Sequence, residues 1–111
     1  MSMLLVLTNL PDRESAEALA AALVAERLAA CVNILPACRS VYRWKGVVEV
    51  GDEVPLLIKT TEARYAALEG VIRARHSYEM PEIVAIPITQ GLPGYLAWLE
   101  AETQDDNWPA P

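Results

Sequence analysis

The sequence predicts an α+β domain of the ferredoxin-like type, a βαββαβ sandwich with a long hairpin between its second and third strands and a short C-terminal helix. Two observations carry this prediction. The segments Leu4–Ile34 and Leu56–Ile88 repeat one order: an apolar strand ending in threonine, a helix, then a second apolar strand. Between them lies an extended stretch rich in β-branched and aromatic residues, which joins two right-handed βαβ halves as a hairpin. The arrangement places the first and third strands centrally and antiparallel, with both helices on one face. With 111 residues there is material for one core, so residues 1–104 are assigned to a single domain and 105–111 to a tail.

Each element has its own signal. Leu4 to Thr8 is an apolar run stopped by Pro11-Asp12, as a buried strand would be. Asp12 can cap the helix that follows, on which Ala16, Leu19, Ala20, Leu23, Val24 and Leu28 form one apolar face. Leu28 to Leu35 returns as the second strand. In the hairpin Val41 to Lys45 alternates and Val47 to Val50 is extended; Val50-Gly51-Asp52-Glu53 gives the strongest turn signal, and Leu56 to Thr60 is the returning strand. Pro36 and Pro55 cannot donate to a ladder and are expected at bulges or edges. Thr61 is a suitable N-cap for a helix from Glu62 to about Arg75 that buries Tyr65, Leu68, Val71 and Ile72. Glu82 to Thr89 is the last strand, Gly91-Leu92-Pro93-Gly94 a turn, and Tyr95 to Glu102 the short helix. Asp105 to Pro111 is expected to fray, with Trp108 able to dock.

Composition narrows the function. Net charge is -6, with 15 acids against 9 bases and no basic cluster longer than Arg73-Ala74-Arg75-His76, so nucleic acid is not an expected partner and cations are the more natural ones. No apolar run reaches membrane-spanning length, and Met1 to Leu7 lacks the basic region of a secretory signal. Cys31 and Cys38 without CxxC spacing fit a reducing compartment, and the cytoplasm is the expected location. Hydrophobic residues make up 53% of the chain, more than so small a monomer needs, and the hairpin is too long for its own domain to cover. An oligomer is expected.

The stretch His76-Ser77-Tyr78-Glu79-Met80-Pro81-Glu82-Ile83 concentrates the candidate chemistry at a helix-to-strand junction. His76 can ligate a metal or transfer a proton beside Glu79 and Glu82; it can equally be a helix-end residue favoured by the dipole. Cys31 and Cys38, seven apart, face opposite sides of a regular strand and cannot chelate one ion unless a bulge at Pro36 shifts the register. Packing is the alternative role for Cys31. Tyr42 and Trp44 share one face of the hairpin, as pocket or interface residues. Lys59 needs a carboxylate partner, for which Glu82 is the candidate, or it serves a ligand. Neither a phosphate loop, a Ser-His-Asp arrangement nor HExxH occurs, so catalysis has no signature, and an acid–base role for His76 is the weakest reading.

Taken together, these pieces resemble the CutA family, named for divalent-cation tolerance. The resemblance rests on Leu28-Ala29-Ala30-Cys31-Val32-Asn33-Ile34, Ser40-Val41-Tyr42-Arg43-Trp44-Lys45-Gly46, Glu53, Leu57-Ile58-Lys59-Thr60-Thr61, His76 to Ile83, and Tyr95-Leu96-Ala97-Trp98. It implies a PII-like homotrimer held by pairing of hairpins between subunits. It further implies a non-enzymatic protein that binds divalent metal ions, copper or zinc among them, as part of a response to metal ions. Cys31 and His76 fall on the family's metal-ligand positions, and Lys59, Trp44, Tyr78, Glu79 and Glu82 on the lining of its inter-subunit cleft. A PII-like sensor of an anionic small molecule, anchored by Lys59, is the alternative. Ser77 stands where proline is more usual and Met80 where a β-branched residue is common; Thr8 excludes any ligand set that needs a cysteine there.

Overall fold

The computed structural model describes residues 2–104. Its elements run β1 (Met3–Leu10), α1 (Arg13–Ala25), β2 (Cys31–Ile34), β3 (Cys38–Trp44), β4 (Val47–Thr61), α2 (Glu62–Arg75), β5 (Ile83–Ile88) and α3 (Pro93–Glu102). Trp108 and the tail assigned to 105–111 lie outside the described residues. The sheet order is β2-β4-β1-β5, with β3 pairing the first half of β4. All of these pairings are antiparallel. The expected βαββαβ arrangement is thus present, its second strand broken into β2 and β3.

Pro36 sits in that break. Ile34 lies opposite Leu56 but Cys38 lies opposite Glu53, so four steps along one strand match three along the other. One extra residue is absorbed between Ile34 and Cys38, and Leu35 N donates to Pro55 O at 3.0 Å within the gap. In a strand N–H and C=O of one residue point the same way, so the donor that Pro55 lacks falls where the ladder is already interrupted.

The hairpin closes elsewhere than the turn signal suggested. Trp44 pairs with Val47, and the two residues between them, Lys45 and Gly46, have φ of +50° and +82°. Such a pair matches the right-handed twist of the flanking strands, and glycine adopts the left-handed backbone without steric cost. Gly51, expected in a turn, instead lies inside β4 opposite Ser40.

Asp12 caps α1 as expected, its Oδ1 accepting from Ser15 N at 2.7 Å. The helix stops three residues earlier than the apolar spacing implied, at Ala25. Arg27 adopts φ +58°, Leu28 N donates to Leu23 O at 2.9 Å, and Arg27 N donates to Val24 O at 3.1 Å. This is a Schellman ending with arginine where glycine is usual. Leu28 stays buried beyond the helix, whereas Val24 is exposed. Thr61 stands at the N-cap of α2 but its side chain makes no cap hydrogen bond.

Both long helices cover one face of the sheet. Ala16, Leu19 and Leu23 of α1 and Leu68 and Ile72 of α2 pack on Leu4, Val6 and Leu10 of β1 and Val54, Leu56 and Ile58 of β4. At the end of the sheet, Leu99 of α3 packs with Met3 and Ala30. Much of the opposite face stays open: Leu5, Leu7 and Leu57 are half-buried, while Val84 and Ile86 of β5 are exposed. Val41, Val47, Val48 and Val50 on the hairpin are exposed as well.

Candidate functional site

A cleft of about 650 Å³ opens between the hairpin and the loop from 76 to 82. One wall is set by strand alternation. Tyr42 pairs with Glu49, Trp44 with Val47 and Cys38 with Glu53, so Tyr42, Trp44, Glu49 and Glu53 project from the same face. The other wall is Tyr78, Glu79, Met80, Pro81 and Glu82, with Asn9 between the two.

His76 holds this loop in place. Its Nδ1 accepts from Tyr78 N at 3.2 Å, which leaves the proton on Nε2 to be donated to Asn9 O at 2.6 Å. The imidazole therefore links the end of β1 to the loop through both nitrogens. Its ring also packs against Tyr78, with centroids 4.6 Å apart. Nearby, Asn9 Nδ2 donates to Glu82 Oε1 at 3.5 Å.

The electrostatics of the cleft are acidic. Glu49, Glu53, Glu79 and Glu82 line it, and among the described residues its lining contains no lysine, arginine or histidine. Burial, then a hydrogen bond to Glu53 and the neighbouring charges of Glu53, Tyr42 and Asp12, push the Tyr78 phenol up to about 12. At neutral pH that phenol stays protonated beside the Glu53 carboxylate. One cation reaches the rim: Lys45 Nζ lies 3.4 Å from Glu79 Oε2 and 5.5 Å from the Trp44 ring centroid.

Four of the seven expected site residues, Trp44, Tyr78, Glu79 and Glu82, line this cleft. His76 supports it without lining it. Cys31 and Lys59 lie in a separate patch on the open sheet face, where they are cross-strand partners. Lys59 Nζ is 3.9 Å from Cys31 Sγ and hydrogen-bonds Asn33 Oδ1. Burial, then the charge and hydrogen bonding of Cys31, raise the Tyr95 phenol beside them. The expected Lys59–Glu82 pair does not form. Lys59 lies across from Leu5, whereas β5 begins with Ile83 across from Thr8, which puts Glu82 several residues further along the sheet.

The bulge brings Cys31 and Cys38 to the same face of the sheet, yet their partners Lys59 and Glu53 are six positions apart on β4. At about 3.4 Å per residue that is about 20 Å, too far to chelate one ion. Among the described residues, three or more His, Cys, Asp or Glu side chains nowhere converge to hold a metal ion.

Glu49 and Glu53 escape the sequence reading as site residues, because charged residues on a two-stranded ribbon resemble an ordinary solvent face. Placing the turn at Lys45-Gly46 would have revealed them, since it sets Glu49 across from Tyr42.

Comparison with known proteins adds to this geometry. Residues 4–102 match the profile of a family described as CutA1 divalent ion tolerance protein. A Thermus thermophilus relative, "Divalent-cation tolerance protein CutA", is 49% identical over 98 residues, covering 88% of this chain and 95% of its own. The Arabidopsis thaliana "Protein CutA, chloroplastic" is 42% identical over 92% of this chain, which spans only 56% of that longer protein. Among solved structures, the divalent cation tolerance protein (Cut A1) from Thermus thermophilus superposes with TM-score 0.90 at 47% identity, covering 92% of this chain and 99% of its own. CutA1 from Oryza sativa also gives TM-score 0.90, at 40% identity, over 94% and 95% of the two chains.

Proposed function

We propose, from the premise that this chain belongs to the CutA1 divalent ion tolerance protein family, that it is a non-enzymatic homotrimer that binds divalent metal ions, copper or zinc among them. Membership gives it a role in divalent-ion tolerance. The observation that carries the binding reading is the charge of the cleft, where four glutamates face a cavity whose lining, among the described residues, holds no basic side chain. Carboxylates draw hard cations, while Cys31 and His76 are the proposed softer donors. His76 must release a backbone hydrogen bond to ligate, and Cys31 sits in another patch of the sheet, so a shared site draws on more than one copy of the chain.

The apolar residues left bare on the hairpin and β5 support self-association. Commitment of both imidazole nitrogens to backbone partners argues against acid–base catalysis. An anionic ligand has less support, because the cleft is acidic and Lys59 lies outside its lining. The two free cysteines support a cytoplasmic location, and no helix among the described residues is long and apolar enough to cross a membrane.

Calorimetric titration with Cu(II) and Zn(II) tests the reading. Saturable binding is expected for the wild-type chain and weaker binding for His76→Ala and Cys31→Ser. No heat with either ion would contradict it, and isotherms that coincide with wild type would remove that residue from the role.

A further inference from the structure

We propose that the cleft between the hairpin and the 76–82 loop binds an extended organic polycation, an aliphatic diamine or polyamine. The proposal rests on reading the cleft as a cation site and adds the class of ligand. Two kinds of side chain line it together. Glu49, Glu53, Glu79 and Glu82 supply negative charge, and Tyr42, Trp44 and Tyr78 supply aromatic faces. Aromatic faces with flanking carboxylates are the chemistry that recognises organic ammonium groups, through the ring quadrupole and charge-assisted hydrogen bonds. The chain shows this chemistry at work on an ammonium of its own, since Lys45 Nζ lies over Trp44 and beside Glu79.

The spacing of the acids selects among cations. A bare divalent ion gathers its oxygens within about 2.0–2.6 Å; no three ligand-type side chains converge among the described residues, so a metal in the cleft needs donors from a second copy, whereas a long cation can span the acids of one. Glu49 and Glu53 lie on one face of β4 four residues apart, about 13 Å along the strand. Charges so dispersed match a flexible chain whose ammonium groups are themselves separated. The cavity, about 650 Å³, has room for such a chain. Tyr78, protonated beside Glu53, adds a hydrogen-bonding hydroxyl without adding charge.

Titration of the full-length protein with spermidine, followed by Trp fluorescence and calorimetry, tests the proposal, with butylamine and Mg(II) as controls. Saturable binding of spermidine is expected, with butylamine weaker by about tenfold or more because it carries one charge. Glu49→Gln with Glu53→Gln should weaken spermidine by about tenfold or more. Lys45→Met should strengthen it several-fold, because the tethered competitor is gone; this gain cannot come from a misfolded variant. No saturation by about 5 mM spermidine, equal affinity for Mg(II), or unchanged affinity in both variants would overturn the proposal. Parallel Cu(II) and Zn(II) titrations separate the two ideas, since retained metal binding with spermidine silent sinks only the polycation.

Discussion

His76 is the only histidine of the chain, and the structure gives it a task as an anchor. With Asn9 O and Tyr78 N on its two nitrogens, truncation strands half-buried backbone groups. His76→Ala should therefore lower unfolding free energy by about 1–3 kcal/mol in urea, whatever it does to metal binding. Thr8 presents the opposite case: its Oγ1 is fully buried with no hydrogen-bond partner among the described residues. Thr8→Val keeps the shape and removes the unsatisfied hydroxyl, so it should raise stability by about 1 kcal/mol. Tyr78 makes a pH prediction. Its folded pKa of about 12 exceeds the free phenol's 10.0, so its contribution is intact below pH 10 and is lost as pH rises towards 12. Alkaline unfolding followed by circular dichroism should be shallower over that window in Tyr78→Phe. Residue identity alone could not show that His76 anchors the loop, because the hydrogen bonds that do so come from residues 9 and 78.

At the scale of elements, the hairpin carries the clearest lesson. Periodicity located every strand and helix of the two βαβ halves, and Pro36 correctly marked a bulge. The turn was misplaced because Gly51-Asp52 and Lys45-Gly46 look alike without the pairing register. Only the latter pair carries left-handed backbone angles. Gly46→Val should accordingly lower stability by about 1–2 kcal/mol. Gly51→Val should be tolerated, since a Cβ there meets nothing within 4 Å and the backbone is that of a strand. Thermal melts of the two variants check the placement directly. The same misplacement hid the place of Glu49 and Glu53 in the cleft, whereas the aromatic and acidic wall around Tyr78 was legible in one contiguous motif.

On the scale of the molecule, the surplus of apolar residues inferred from composition has an address. It lies on the open sheet face and along the hairpin, which helps stretch the chain to 52 Å in its longest dimension. Residues such as Val48, Val50, Val84 and Ile86 would be a liability on a monomer. Substituting Val84 and Ile86 together by lysine should shift the sedimentation coefficient toward that of a single chain, provided this face is buried between copies. How chains pair could not be read from one sequence, since an isolated chain shows only which surfaces lack a partner. The proposed assembly carries divalent ions. Native mass spectrometry in the presence of Zn(II) tests it in one spectrum, where a species near three times 12.2 kDa with zinc bound is expected. A bare 12.2 kDa monomer as the dominant ion would contradict it.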